Sequence, residues 1–159
     1  MSNILEIYTD GAASGNPGPG GFGVVMKYGP HRKEFSAGYR LTTNNRMELL
    51  AVIVAIESLK SPGTQGRLYS DSKYVVDSIN KGWLKNWVRK RFDKVKNSDL
   101  WIRLHKVLQQ HKIEFVWVKG HASNVENNRC DQLAVAASHT QNLPPDTWYE
   151  ANRNNPEII

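Results

Sequence analysis

The sequence lacks the features that mark secreted, membrane-spanning or disulfide-stabilised proteins. Cys130 is the single cysteine, so no disulfide can form within the chain, which fits a reducing compartment. The longest apolar run, Leu49–Ile56, is far too short to cross a bilayer. The first residues lack the basic and apolar regions of a signal peptide, and no Asn-x-Ser/Thr acceptor occurs. We therefore expect a cytoplasmic protein without a membrane partner.

Acidic residues are outnumbered by basic ones. The 159 residues include 21 Lys and Arg against 15 Asp and Glu, and the formal net charge is +6. This balance favours an anionic partner, either nucleic acid or an acidic membrane surface, although it can also serve solubility alone. The length suits one domain with one substantial core.

Hydrophobic patterns predict an α/β fold. Segments 4–10, 22–28 and 33–39 are predicted to form an antiparallel meander, with the Gly- and Pro-rich segment 16–21 as a turn. The pattern then predicts helix 43–60, strand 67–70, helix 71–81, helix 99–111, strand 113–118 and helix 126–139. Strands separated by helices should run parallel to the first strand. We expect a folded domain over residues 1–142 and a loosely ordered, Pro- and Asn-rich tail over 143–159.

Four acidic residues lie where apolar segments begin or end, namely Asp10, Glu48, Asp71 and Asp131. Asp10 and Asp71 follow strands that should be parallel, so both are expected at the same edge of the sheet. Acidic groups gathered in a basic protein favour hard cations held against a polyanion, because Mg²⁺ prefers carboxylate and phosphate oxygens. Each acid taken alone can equally be a helix cap, an alternative that fits Asp71 especially well.

Basic and aromatic residues alternate in segment 81–96. The cations are Lys81, Lys85, Arg89, Lys90, Arg91, Lys94 and Lys96, and the aromatic residues are Trp83, Trp87 and Phe92. A helical spacing also links the apolar residues Val76, Ile79, Trp83 and Trp87. One face of this segment is therefore predicted to pack on the core while the other contacts phosphates. A merely solvated helix face is the alternative.

Six short motifs carry polar residues in a fixed order along the chain. They are Thr9-Asp10-Gly11, Gly15-Asn16-Pro17-Gly18, Thr43-Asn44-Asn45-Arg46-Met47-Glu48, Ser70-Asp71-Ser72, Val118-Lys119-Gly120-His121 and Asn127-Asn128-Arg129-Cys130-Asp131. Together they resemble ribonuclease H of type 1 over about residues 4–140. The resemblance implies a five-stranded mixed sheet of order 3-2-1-4-5 flanked by helices. It also implies an endonuclease that hydrolyses the RNA strand of RNA–DNA hybrids and leaves 3′-hydroxyl and 5′-phosphate ends.

The resemblance assigns the chemistry to particular residues. Asp10, Glu48, Asp71 and Asp131 would be the metal ligands. They would hold two Mg²⁺ ions, with Mn²⁺ as a possible substitute, which activate a water and stabilise the leaving 3′-oxygen. His121, in a polar loop, would assist by proton transfer or product release.

The resemblance also assigns contacts with the hybrid. Asn16, Asn44 and Asn45 would approach the 2′-hydroxyls that distinguish RNA from DNA. Thr43 and Asn97 would contact a DNA phosphate. The basic segment would grip the DNA strand through Lys85, Trp87, Arg89, Lys90 and Arg91.

Two other classes of function remain open from the sequence. A non-catalytic hybrid-binding module would share the substrate, but binding phosphates alone gives no reason to keep four anions in the site. A transposase or integrase core would share the fold, but it needs a partner domain or DNA-joining chemistry. We expect a hybrid-cleaving monomer that needs no obligate protein partner.

Overall fold

The computed structural model, which describes residues 4–120 and 124–158, shows a mixed sheet flanked by helices. The strands are β1 (Leu5–Ala13), β2 (Gly18–Tyr28), β3 (His31–Thr42), β4 (Gln65–Ser70) and β5 (Lys112–Trp117). The helices are α1 (Asn44–Glu57), α2 (Lys73–Asn80), α3 (Trp83–Arg89), α4 (Ser98–Leu108), α5 (Val125–Ser138) and α6 (Thr147–Asn152). Within these described ranges, no helix is both long and apolar enough to cross a membrane.

The strand order confirms the predicted topology. The order is β3-β2-β1-β4-β5. β1 pairs antiparallel with β2, and β2 pairs antiparallel with β3, which is the expected meander. β4 pairs parallel with both β1 and β5. The carboxyl ends of β1, β4 and β5 therefore meet at one edge of the sheet, where ligands of α/β proteins gather.

The meander is longer than the sequence predicted. Residues Gly18–Gly21, expected in a turn, belong to β2, where Gly20 and Gly21 pair with β1. A Cβ atom at Gly21 would lie 2.4 Å from the main-chain oxygen of Ala134 in α5. Gly21 therefore allows helix α5 to pack closely on the strand, a role that composition alone does not separate from a turn.

Helix α1 is buried on nearly all sides, as its continuous apolar run predicted. Leu49, Val52, Ile53 and Ile56 have no exposed surface. Thr43 caps the helix, because its hydroxyl accepts a hydrogen bond from the backbone N–H of Arg46. The helix ends at Glu57, three residues before the predicted end.

The two faces of the sheet are covered by different helices. Ile7 of β1 packs in the main core with α1, whereas its neighbour Tyr8 packs with Cys130 of α5. Successive strand residues point to opposite faces, so β1 lies between the two helical layers. Asp10, in the second half of β1, therefore lies in a strand that is held between α1 and α5.

The segment after residue 142 is ordered, and the expectation of a loose tail was wrong. It contains helix α6, whose residue Tyr149 is 3% exposed. Asp146 caps α6 and forms an ion pair of 2.7 Å with Arg46 of α1. Pro and Asn content reports weak helix propensity, but it carries no information on a buried partner elsewhere in the chain.

The basic segment is a short helix followed by turns. Helix α3 ends at Arg89, and the backbone then takes left-handed conformations at Arg91, Phe92 and Lys94. Trp87 packs edge-on against Trp101, with 5.1 Å between ring centroids, as expected for a core residue. Trp83 is 42% exposed. Helix α2 ends before α3 begins, so the helical spacing that linked Trp83 to the apolar residues of α2 does not continue into α3.

Candidate metal centre

Three acidic side chains from three elements converge at the carboxyl edge of the sheet. One carboxylate oxygen each of Asp10, Glu48 and Asp71 lie within 4.8 Å of one another. Asp10 lies in β1, Glu48 lies in α1, and Asp71 directly follows β4. The expected adjacency of Asp10 and Asp71 is found, and it follows from the parallel pairing of their strands.

Asp71 is not the cap of helix α2. The cap is Ser72, whose hydroxyl accepts from the backbone N–H of Val75. The Asp71 carboxylate is thus available to the acidic cluster, and the alternative of a capping role is wrong.

Asp131 lies at the same site but slightly apart from the other three acids. It lines a cavity of about 250 Å³ together with Asp10, Glu48 and Asp71. It is absent from the group whose oxygens lie within 4.8 Å among the described residues. Helix α5 therefore supplies the fourth acid from the opposite side of β1.

Gly11 allows the acids of β1 and α1 to meet. Its backbone N–H donates to Asp10 Oδ1 at 3.0 Å and also to Glu48 Oε1. A Cβ atom at this position would lie 2.3 Å from the backbone nitrogen of Glu48. Only glycine permits helix α1 to approach β1 this closely.

Burial and mutual repulsion raise the pKa values of two of these acids, Asp10 and Glu48. Burial, helped by the charges of Asp71 and Asp131, raises the pKa of Asp10 to about 7, against the hydrogen bond from Glu48. Burial and the charge of Asp10 raise the pKa of Glu48 well above its ordinary value. Carboxyl groups in this state are stabilised by a cation, because an opposite charge favours their ionised form.

Trp117 fixes the turn that carries Asp71, and sequence reasoning missed it. Its indole N–H donates to the main-chain oxygen of Asp71 at 3.1 Å. The ammonium of Lys73 lies 5.0 Å from the centre of the same indole ring. The parallel register pairs Trp117 with Ser70, which is visible only once the strands are aligned.

Asn44 lies at the rim of this cavity, Asn16 contacts it, and Asn45 follows it in α1. The backbone N–H of Asn44 donates to Asn16 Oδ1 at 3.1 Å, which joins the β1–β2 loop to the start of α1. Asn44 also lines the cavity, and all three residues are exposed. The structure therefore places Asn44 next to the acids, with Asn16 hydrogen-bonded to its backbone.

The side chain of Asn97, predicted to contact a DNA phosphate, is largely buried. Asn97 is 8% exposed, its Oδ1 accepts from Arg46 Nη1 at 3.3 Å, and its Nδ2 donates to the Tyr74 hydroxyl at 3.1 Å. The side chain therefore joins α1 to α2 through Arg46 and Tyr74, and its phosphate contact stays a prediction. Asn97 precedes α4 in a left-handed backbone conformation, and nothing in the local sequence indicates that its side chain is buried.

The cations of the basic segment form a continuous exposed region. We call this the basic surface, defined by the exposed residues Lys85, Arg89, Lys90, Arg91, Lys94 and Lys96. Beneath it Leu84 and Val95 are buried, and Trp87 is half-buried. The predicted division into a packed face and a charged face is found, whereas Trp87 belongs to the packed face.

His121 lies outside the described residues, so its predicted role stays a prediction. Its neighbours Lys119 and Gly120 line the cavity.

Arg46 is the most important residue that sequence reasoning passed over. It is 1% exposed and forms ion pairs with Asp99 at 2.8 Å and Asp146 at 2.7 Å. Its guanidinium also lies 5.0 Å from the centre of the Trp148 ring. Arg46 therefore joins α1, α4 and the C-terminal segment two residues before Glu48.

Comparison with known proteins supports one family. The sequence model of the RNase H family matches residues 2–139. A ribonuclease H of Desulforamulus reducens is 58% identical over 152 residues, which cover 91% of this chain and 95% of that protein. The solved structure of LC9-RNase H1, a type 1 RNase H, has a TM-score of 0.78 at 28% identity and covers 96% of this chain and 82% of its own. LC11-RNase H1, solved in complex with an RNA/DNA hybrid, has a TM-score of 0.63 at 27% identity, with coverages of 84% and 95%.

Proposed function

The chain belongs to the RNase H family and is an endonuclease for the RNA strand of RNA–DNA hybrids, and we propose that it works through divalent metal ions held by Asp10, Glu48, Asp71 and Asp131. The observation that carries the proposal is the convergence of three carboxylates within 4.8 Å in one cavity. The fourth acid lines the same cavity from α5.

The donor set fits hard divalent cations. Every side chain proposed as a ligand offers carboxylate oxygen, and Mg²⁺ is bound through a few carboxylates and substrate phosphates. We propose two Mg²⁺ ions, with Mn²⁺ as a substitute. When bound, such ions activate a water for in-line attack and stabilise the leaving 3′-oxygen, which gives 3′-hydroxyl and 5′-phosphate ends.

The chain itself supplies position and charge. The Gly11 N–H orients both Asp10 and Glu48, and the Trp117 indole orients the turn of Asp71. The raised pKa of the Asp10 carboxyl means that the cluster gives up a proton when it takes a cation. His121, which lies outside the described residues, is proposed to move a proton or ease product release.

The hybrid is proposed to lie across the cavity and the basic surface. Asn16, Asn44 and Asn45 would meet the 2′-hydroxyls of the RNA strand. The basic surface would hold phosphates of the DNA strand, because exposed Lys and Arg provide most of the affinity for nucleic acid. Thr43, which caps α1, is proposed to contact a DNA phosphate near its exposed helix start.

Substitution of the strand acids tests the proposal. Asp10→Asn and Asp71→Asn remove a ligand charge without changing shape, so hybrid cleavage should fall to background while hybrid binding in a gel-shift assay is mostly kept. Asp77→Asn is the matched control, because Asp77 pairs with Lys81 on α2 and lies outside the cavity. Normal turnover of Asp10→Asn at saturating Mg²⁺ would contradict the metal centre.

The alternative functions are not favoured. A binding module without catalysis does not account for the convergent acids, and the family match extends over most of the chain. A cytoplasmic location and a monomeric state without an obligate protein partner stay predictions.

A further inference from the structure

The two strands that carry Asp10 and Asp71 separate just before they reach the site. The parallel pairing of β1 with β4 ends at Tyr8 and Tyr69. Each acid lies two residues beyond the last pair on its own strand. Parallel pairing brings the two acids to the same edge, but the β1–β4 ladder stops short of them, and each strand is held there only by its other neighbour.

The side chain of Asn127 from helix α5 lies between the diverging strands. Its Nδ2 donates to the main-chain oxygen of Tyr69 at 3.2 Å and to that of Thr9 at 3.5 Å. Both partners are acceptors, so the NH₂ group must face the strands. One amide thus joins the residue before Asp10 to a residue two positions before Asp71.

Helix α5 holds this amide in place and relates it to the fourth acid. Asn124 caps the helix, and its side-chain oxygen accepts from the backbone N–H of Asn127 at 3.1 Å. Asn127 and Asp131 are four residues apart, so they share one face of the helix, and both line the cavity. The residue that joins the strands is therefore part of the same rigid element as Asp131.

The environment of Asn127 argues against a role in stability alone. Its Oδ1 is buried without a hydrogen-bond partner in the part of the chain that the structure describes. An unpaired buried acceptor is costly, so an apolar side chain would be the better choice if packing were the only need. The advantage of an amide at this position is therefore that its NH₂ group can bind two carbonyls at once.

We propose that Asn127 is a positioning residue that sets the separation of Asp10 and Asp71 for metal binding. This inference rests on the proposed function, because the acids must be ligands for their separation to matter. Partners that orient ligands from behind are general in metal sites, and their removal typically costs about 10–100-fold in metal affinity or activity.

The test compares Asn127→Ala with a matched amide on the same helix. Gln132 is exposed, and its side chain contacts only Arg129 among the hydrogen bonds seen for it, so Gln132→Ala is the control. Mn²⁺ binding is measured by calorimetry without substrate, and kcat and KM are measured on one defined hybrid. Asn127→Ala should weaken Mn²⁺ binding and lower kcat by about 10–100-fold with KM unchanged, while Gln132→Ala behaves as the wild type.

Several results would overturn the inference, and they differ from those that overturn the proposed function. A lower melting temperature with wild-type Mn²⁺ affinity and kcat would make Asn127 a structural residue only. If circular dichroism shows that Asn127→Ala does not fold, the same measurements on Asn127→Ser decide, since a serine hydroxyl is too short to join both carbonyls. If instead the wild type binds no Mn²⁺, or Asp10→Asn binds it equally well, the proposed metal centre itself fails.

Discussion

At the scale of single residues, the fold changes the acid–base chemistry of the pair Asp10 and Glu48. Both carboxyls are almost fully buried, and both accept from the same backbone N–H of Gly11. Without a cation the pair is destabilising when ionised. The ionised pair therefore lowers the stability of the metal-free protein, and a bound cation would remove that cost. Such a trade-off between stability and function is common at functional sites.

This competition predicts how Asp10→Asn changes stability with pH. The pKa of Asp10 is raised from 3.8 to about 7 in the folded protein, so between these values the folded state binds a proton that the unfolded state does not. Wild-type stability must then fall as pH rises through this window, and Asn removes that loss. Each pKa unit corresponds to ~1.4 kcal/mol, so above pH 7 the variant should be more stable by about 1–3 kcal/mol, since Glu48 retains part of the effect.

Chemical denaturation in EDTA at pH 4 and pH 8 measures the difference. The two proteins should be about equally stable at pH 4 and differ at pH 8. Asp77→Asn, on α2 outside the cluster, should show no such gain. A stability advantage of Asp10→Asn that is the same at both pH values would show that the raised pKa of Asp10 is not its cause.

The acids of the site could be predicted from sequence, whereas the residues that support them could not. Asp10 and Asp71 each follow an apolar strand, and Glu48 lies near the start of an apolar helix, so local pattern identifies them. Asn127 and Trp117 act by donating to backbone oxygens of distant segments. Such bonds depend on the aligned strands and leave no local pattern.

At the scale of elements, Arg46 ties helix α1 to the C-terminal segment. The Asp146 carboxylate accepts from Arg46 at 2.7 Å and from the Thr42 hydroxyl at 2.7 Å, and Asp146 is 9% exposed. The segment that composition marked as loose is thus attached through a buried charge. The start of α1, which carries Glu48, depends on this attachment.

Removal of Asp146 should destabilise the protein substantially. Breaking a buried ion pair costs about 3–5 kcal/mol. Asp146→Ala should lie at the lower end of that range because Arg46 keeps Asp99. Glu150→Ala, which breaks only an exposed pair with Arg40, should leave the free energy of unfolding almost unchanged. Urea denaturation of both variants provides the measurement, and equal small effects would show that the segment contributes little.

The basic surface makes a prediction about binding rather than chemistry. Replacing Arg89, Lys90 and Arg91 by Gln should raise KM for the hybrid several-fold and leave kcat nearly unchanged. Fewer phosphate contacts release fewer counterions, so the slope of log affinity against log salt should flatten by about one unit per lost contact.

A control variant with the same loss of charge distinguishes lost phosphate contacts from a lower net charge. Lys60, Lys106 and Lys112 are exposed, and Lys112 opens β5 at the opposite edge of the sheet from Asp71. Replacing these three by Gln should leave KM and the salt slope near the wild-type values. If both triple variants change KM and the salt slope equally, the basic surface makes no specific contact with the hybrid and is a solvated face.

Most strands and helices were predictable from the sequence, but helix α6, the element boundaries and the packing partners were not. The meander, α1 and the parallel strands follow from apolar periodicity and from the rule that strands joined through helices run parallel. The extension of β2 through Gly18–Gly21 and the order of the C-terminal segment depend on contacts with α5 and Arg46. Those contacts join residues far apart in sequence, which single-sequence patterns do not report.

At the scale of the whole molecule, the fold brings an anionic site and a cationic surface to one protein. Net charge is +6, yet Asp10, Glu48, Asp71 and Asp131 line one cavity. The cationic surface attracts a polyanion, and the cavity accepts it only when cations screen the acids from its phosphates. Cleavage should therefore require both a divalent metal and a substrate whose two strands differ.

The most direct test of this account is the cleavage of one labelled RNA in three contexts, with and without Mg²⁺. The RNA is offered paired to DNA, paired to RNA and as a single strand, and the product ends are identified. The account predicts cleavage of the hybrid alone, only with Mg²⁺, leaving 3′-hydroxyl and 5′-phosphate ends. Cleavage in EDTA, or equal cleavage of the RNA duplex, would contradict it.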